Sequence, residues 1–132
     1  MKLNGCIMSN IIYLLSGIYL IFNKLYVFGL IAILVWFVSH SYHNDYSKKH
    51  WKLLDRYLAL FVIIILFYKY HRQITFNQIC ILFFICISFI LARYLYYKDN
   101  IIGYDISHSI WHIGTGLLIT YIIYKNEIEK LN

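Results

Sequence analysis

The chain contains no proline, three cysteines and six glycines among its 132 residues. Without proline, no helix is forced to stop or kink by a ring that lacks an N–H. Charge is scarce too: Asp, Glu, Lys and Arg together make up 14% of the sequence, where about 25% is usual for a soluble domain. The six acidic residues are outnumbered by twelve basic ones. Those Lys and Arg residues fall between apolar runs instead of clustering on a face, which argues against a nucleic-acid partner and reads as loop charge beside a membrane. Cys6, Cys80 and Cys86 show no metal or redox spacing. Cys80 and Cys86 lie inside the run "QICILFFICISFI" and read as small apolar packing residues. "LNGC" at 3–6 has no hydrophobic region before it, as a lipoprotein site would need. Residues 7–22 lack a small-residue cleavage pattern after them, so a retained helix is expected there.

Apolar length is abundant. Hydrophobic residues make up 61% of the chain, and residues 3–23, 25–44, 73–92 and 106–124 contain no Asp, Glu, Lys or Arg. Each stretch can cross a hydrocarbon core of about 30 Å at about 1.5 Å per residue. A further run, "YLALFVIIILFY" at 57–68, reaches spanning length if its helix starts near Trp51 to Leu54, which brings Asp55 and Arg56 to the membrane boundary. The expectation is an all-α, multi-pass transmembrane helix bundle of about five helices. They form one transmembrane domain over 1–132, with helices at roughly 5–23, 25–44, 52–70, 74–95 and 101–124.

Five alternating crossings have a consequence for the polar residues. Ser39 and His43 fall near the end of the second helix, and Asp55 near the start of the third. His108 and His112 fall in the first half of the fifth, roughly 10–17 Å from its start. All five therefore share one leaflet, on the side of the N-terminus. That side carries Lys2, Lys48, Lys49, Lys52, Arg56, Arg93 and Lys98, against Lys24, Lys69, Arg72, Lys125 and Lys130 on the other. The positive-inside rule then places the N-terminus and the polar cluster on the cytoplasmic side.

His108 and His112 are four apart in "ISHSIWHIGTG", so their rings point the same way from one helix. Two such imidazoles can chelate one ion, and His43 supplies a third ligand. Neutral imidazole suits Zn2+, whose catalytic sites take three protein ligands and lower the pKa of a water to about 7. Ser39, one turn before His43, can hydrogen-bond that water or hold a substrate carbonyl, while Asp55 can accept its proton or orient a ligand. The chemistry this suggests is hydrolysis of an amide or ester, and in a membrane leaflet the substrate is a lipid. Taken singly, each group has an ordinary reading. A His-x-x-x-His pair can serve packing, Ser39 can bond its own helix, and Asp55 can pair with Arg56 or Lys52. Asp105 can orient His108 or serve as a first-turn helix carboxylate. His40 points elsewhere, and His50 and His71 are expected at the interface. Trp111 is expected to pack, and Gly114 and Gly116 permit close helix approach.

The order Ser-x-x-x-His, then Asp, then His-x-x-x-His resembles the CREST superfamily of membrane hydrolases. It includes alkaline ceramidases, the adiponectin and progestin receptors, and GPI-anchor lipid remodelling proteins. The matching text is "SHSYH" at 39–43, "LLD" at 53–55 and "HSIWHIGTG" at 108–116. The Trp before the second His and the small-Thr pair after it are similar to the ceramidase and remodelling branches. The resemblance implies zinc on His43, His108 and His112, with Ser39 and Asp55 completing the site. It covers short motifs on three helices. Family members usually have seven helices, so this would be a shortened member, its missing pair falling between Asp55 and His108. Ceramidases usually have an acidic residue after the Asp, where this chain has Arg56.

Other classes compete with a lipid hydrolase. A receptor-like or interaction protein would hold a structural zinc or none. A haem protein would join His43 to His108 or His112 across the ring. A proton or ion pathway would have to continue through "FVIIILF" or "LLITYII", but the polar cluster stops in one leaflet and nothing continues the path.

Overall fold

The computed structural model describes residues 4–44 and 49–129, and all of its regular structure is helical. Helix α1 (Asn4–Ser9) and helix α2 (Ile11–Phe22) are set end to end, with a break at Asn10. They are followed by α3 (Tyr26–Asn44), α4 (Lys49–Tyr70), α5 (Phe76–Tyr97) and α6 (Ile101–Ile123), and α6 widens into a π-helical turn at Tyr124–Ile128. Among the described residues, four helices are long and apolar enough to cross a membrane: Gly5–Phe22, Tyr26–Asn44, Phe76–Tyr97 and Ile101–Ile128. Helix α4 matches them in length, with 22 residues, but its first turns carry Lys49, Lys52, Asp55 and Arg56. It therefore starts three residues earlier than the apolar pattern suggested. The first expected helix is interrupted at Asn10, which apolar length alone does not reveal.

Burial is inverted relative to a water-soluble protein. Phe22, Tyr68, Phe76 and Ile102 are largely exposed, whereas Asn10, Ser16, Ser39, His43, Gln78, His108, His112 and Thr115 are buried. In lipid the outer surface costs nothing when apolar, and polar groups gain by turning inward. The helices meet through small residues and hydroxyls. A methyl group built on Gly17 would lie 2.8 Å from the Gly29 carbonyl, and one on Gly29 would lie 2.8 Å from the Gly17 carbonyl. The α2 and α3 backbones thus touch where neither residue has a side chain. Helix α6 is tied to α2 by Tyr13 Oη bonded to Thr115 Oγ1 at 2.6 Å and by Thr120 Oγ1 donating to Ser16 Oγ at 2.7 Å. Gly114 and Gly116 allow the close approach their spacing suggested, to Ile85 on α5 and Ile12 on α2.

Two tight turns make antiparallel hairpins of α2 with α3 and of α5 with α6. At the first, Leu25 N donates to Leu20 O and Lys24 N to Ile21 O, both at 2.9 Å, with Lys24 at φ 63°. At the second, Asn100 N donates to Leu95 O at 3.0 Å and Asp99 N to Tyr96 O at 3.2 Å, with Asp99 at φ 56°. Both are Schellman endings, built here without the usual glycine.

The packing order is α4 on α3, α3 on α2, α2 on α6 and α6 on α5. Among the described residues α4 and α5, although consecutive, do not pack closely backbone to backbone. The packing order traces an arc whose ends, α4 and α5, flank a small cleft lined by Asp55, Arg56, Phe89 and Arg93, while Tyr70 Oη donates to Glu127 at 2.7 Å and joins α4 to the end of α6.

Candidate metal centre

Three imidazoles meet inside the arc. The His43 ring centroid lies 5.0 Å from that of His108 and 5.0 Å from that of His112, and His108 and His112 are 4.6 Å apart. One nitrogen from each lies within 4.8 Å of the others, so the group can hold a metal ion. Exposure is 0% at His43, 7% at His108 and 3% at His112. Nitrogens on a tetrahedral ion with bonds of about 2.0–2.1 Å sit roughly 3.3 Å apart, so small ring rotations separate this cluster from a ligand set.

Local structure explains the convergence. Asn100 caps α6 by accepting from Gly103 N at 2.9 Å, which starts the helix so that residues 108 and 112 share its inner face. Helix α3 brings His43 and Ser39 inward one turn apart. The cluster is then walled by aromatic rings: Tyr104 stacks on His108 at 5.1 Å, Phe89 lies 6.0 Å from His108, and Tyr13 lies 5.8 Å from His112.

The donor set fits a metal. Among the described residues, His108 Nδ1 and His112 Nδ1 are buried without a hydrogen-bond partner. Each such atom costs about 1–3 kcal/mol unless something satisfies it. A site of three imidazoles suits transition metals such as zinc, copper, iron or nickel, and not calcium or magnesium, which take oxygen ligands.

Ser39 and Asp55 adjoin this cluster. Ser39 on α3 and Asp55 on α4 lie close to one another beside the imidazoles. Together with His108, His112 and Trp111 they line a cavity of about 220 Å³, whose other walls include Tyr13, Ala59, Ile63 and Phe89. Residues of α2, α3, α4, α5 and α6 all contribute to its walls. A smaller apolar cavity of about 40 Å³, lined by Val62, Leu66 and Ile119 among others, shares Tyr13 with it.

The remaining polar residues separate from the site. Asp105 neither orients His108 nor serves the first turn of its own helix. Its carboxylate accepts from Gly5 N at 2.9 Å and Cys6 N at 2.7 Å, capping α1 across the bundle. His40 lies against Trp36, His50 against Trp51, and His71 Nδ1 is 3.2 Å from Tyr68 O, all away from the cluster. Two contributors went unnoticed in the sequence, and a third was read only as a packing residue. Tyr13 looked like one of many tyrosines, although its mid-helix position sets it apart from the interfacial ones. Phe89 gave no signal within an apolar run. Trp111 packs on Phe89 at 4.9 Å as expected, and it also lines the cavity.

Comparison with protein-family models, with curated proteins and with solved structures finds no match to this chain. The functional reading therefore rests on the metal-competent histidines and the cavity beside them.

Proposed function

We propose that the chain is a zinc-dependent intramembrane hydrolase that cleaves an amide or ester bond of a lipid, a shortened relative of the CREST superfamily. The observation that carries this reading is the meeting of three buried imidazoles, two of which share one cavity with Ser39 and Asp55. His43, His108 and His112 would hold the zinc. Zinc, when bound, supplies Lewis acidity and brings the pKa of a water to about 7.

The protein's own residues do the rest. The lipid reaches the cavity through the α4–α5 cleft, its acyl chain directed past Tyr13 toward the apolar cavity bounded by Val62, Leu66 and Ile119. Asp55 accepts a proton from water as the water oxygen bonds to the acyl carbon. It returns that proton to the leaving nitrogen or oxygen as the C–N or C–O bond breaks, releasing a fatty acid and an amine or alcohol. Ser39, beside Asp55 in the same cavity wall, orients the carboxylate or the substrate carbonyl. Trp111 and Phe89 exclude bulk water from the reacting atoms.

The test uses purified full-length protein in detergent. Metal content is read by mass spectrometry, and release of fatty acid from short-chain amide and ester lipids is followed in parallel. Near-stoichiometric zinc with turnover is expected, and Asp55→Asn should keep the zinc while losing about 10²–10⁴-fold in rate, the usual worth of a general base. Absence of zinc from the wild type would overturn the reading at its first step. Zinc without turnover of any lipid would make the metal structural and the protein a receptor-like or interaction protein.

A further inference from the structure

A second cavity, of about 60 Å³, adjoins the metal centre at the N-terminal end of α4 and shares Asp55, Arg56, Phe89 and His108 with it. Its walls carry Lys52, Arg56 and Arg93, together with Tyr42 and Tyr96. Lys52 and Arg56 are one turn apart on α4, and Arg93 lines the same cavity from α5. Three cations thus share one cavity with the Asp55 carboxylate. Arg93 is positioned by Tyr97, whose hydroxyl accepts from it at 3.2 Å and whose ring lies 5.6 Å from the guanidinium carbon. That contact uses one of the five N–H donors of the guanidinium. Among the described residues, none of the three cations has a carboxylate at ion-pair distance; the ion pair found there is Lys69–Glu127, at the other end of the bundle.

A cluster of arginine and lysine with hydroxyls beside it is the chemistry that binds phosphate. The vestibule is continuous with the metal centre, and His108 lies about two helical turns inside α6, deeper than the cations. In a glycerophospholipid the phosphorus and the first ester carbonyl are a few covalent bonds apart. A phosphate held between Arg56 and Arg93 would therefore leave its ester beside Asp55 and His108, with the acyl chain in the larger cavity. We propose that the vestibule of Lys52, Arg56 and Arg93 binds the headgroup phosphate of an anionic phospholipid and so defines the substrate class of the site. The proposal rests on the hydrolase reading for its consequence, but the binding itself does not require turnover.

The experiment measures binding to detergent-solubilised full-length protein through tryptophan fluorescence, Trp111 being in the cavity wall. The probe is a short-chain diether phosphatidic acid, which has no ester to cleave, compared with the matching neutral diether glycerol and with inorganic phosphate. The diether phosphatidic acid should bind more tightly than either. Arg56→Gln, at an exposed position, and Arg93→Gln should each weaken it by roughly 10–100-fold while leaving zinc content unchanged, and Arg93→Gln, outside the larger cavity, should also leave neutral-lipid binding unchanged. Lys98→Gln, at the same end of the bundle but outside the vestibule, should have no effect. Equal losses in Lys98→Gln and Arg56→Gln would reduce the effect to general surface charge and overturn the proposal. Inorganic phosphate binding as tightly as the lipid would overturn it in favour of a free-phosphate site. Equal affinity for the neutral lipid would also overturn it. Headgroup binding without hydrolysis would instead refute the hydrolase reading alone, so the two failures are distinguishable.

Discussion

His112→Ala is the sharpest probe of the metal centre. Its ring is in contact with both other imidazoles, and it is 3% exposed, so no water-facing role competes with ligation. In the metal-free protein two effects oppose each other. Loss of the ring leaves a void that costs about 2 kcal/mol or more. It also removes a buried Nδ1 without a partner, which relieves about 1–3 kcal/mol. The metal-free stabilities of wild type and variant should therefore be close. The metal-loaded proteins should differ strongly. Zinc sites with four protein ligands bind with roughly 10–16 kcal/mol, or about 3–4 kcal/mol per ligand, so removing one ligand raises Kd on the order of 10²–10³-fold. At a free zinc concentration a thousand times the wild-type Kd, binding stabilises the wild type by about 4 kcal/mol. The variant, then at roughly one to ten times its own Kd, gains about 0.4–1.4 kcal/mol. Thermal unfolding with and without chelator should show a large drop for the wild type and a small one for the variant. Retention of stoichiometric zinc by His112→Ala, at the chelator concentration that strips the wild type, would refute the reasoning.

Other regions make independent predictions. Gly29→Ala places a methyl group 2.8 Å from the Gly17 carbonyl and 2.5 Å from an Ile21 side-chain carbon; forcing α2 and α3 apart should cost about 1–3 kcal/mol, read as a lower midpoint in thermal unfolding. Asp105→Ala removes the acceptor of the Gly5 and Cys6 amides and should release α1, with faster hydrogen exchange confined to residues 4–9 while zinc stays bound. Asp99→Gly, at φ 56°, removes the left-handed penalty of about 1 kcal/mol and should raise the unfolding midpoint with metal content unchanged.

The sequence by itself determined the helices and which residues share a face. Charge-free length defined the apolar helices, because a bilayer core has a thickness that 1.5 Å per residue must cover. Spacing of four placed His108 beside His112 and Ser39 beside His43, because helical periodicity is local. Alternating crossings led to the expectation that the five polar residues meet, and the structure brings Ser39 and Asp55 beside the three histidines. Periodicity carries no information about which helix is whose neighbour. Asp105 could not be matched from sequence to Gly5 and Cys6, a hundred residues away, since a carboxylate accepts any amide brought to it. Tyr13, Phe89 and Trp111 became cavity walls through the order α4–α3–α2–α6–α5, which no linear pattern encodes. The tertiary structure alone decided that Asp55 and Arg56 from α4, Arg93 from α5 and His108 from α6 border one cavity beside the metal-competent histidines. Which helices face one another depends on how they pack, and no spacing within a single helix carries that information.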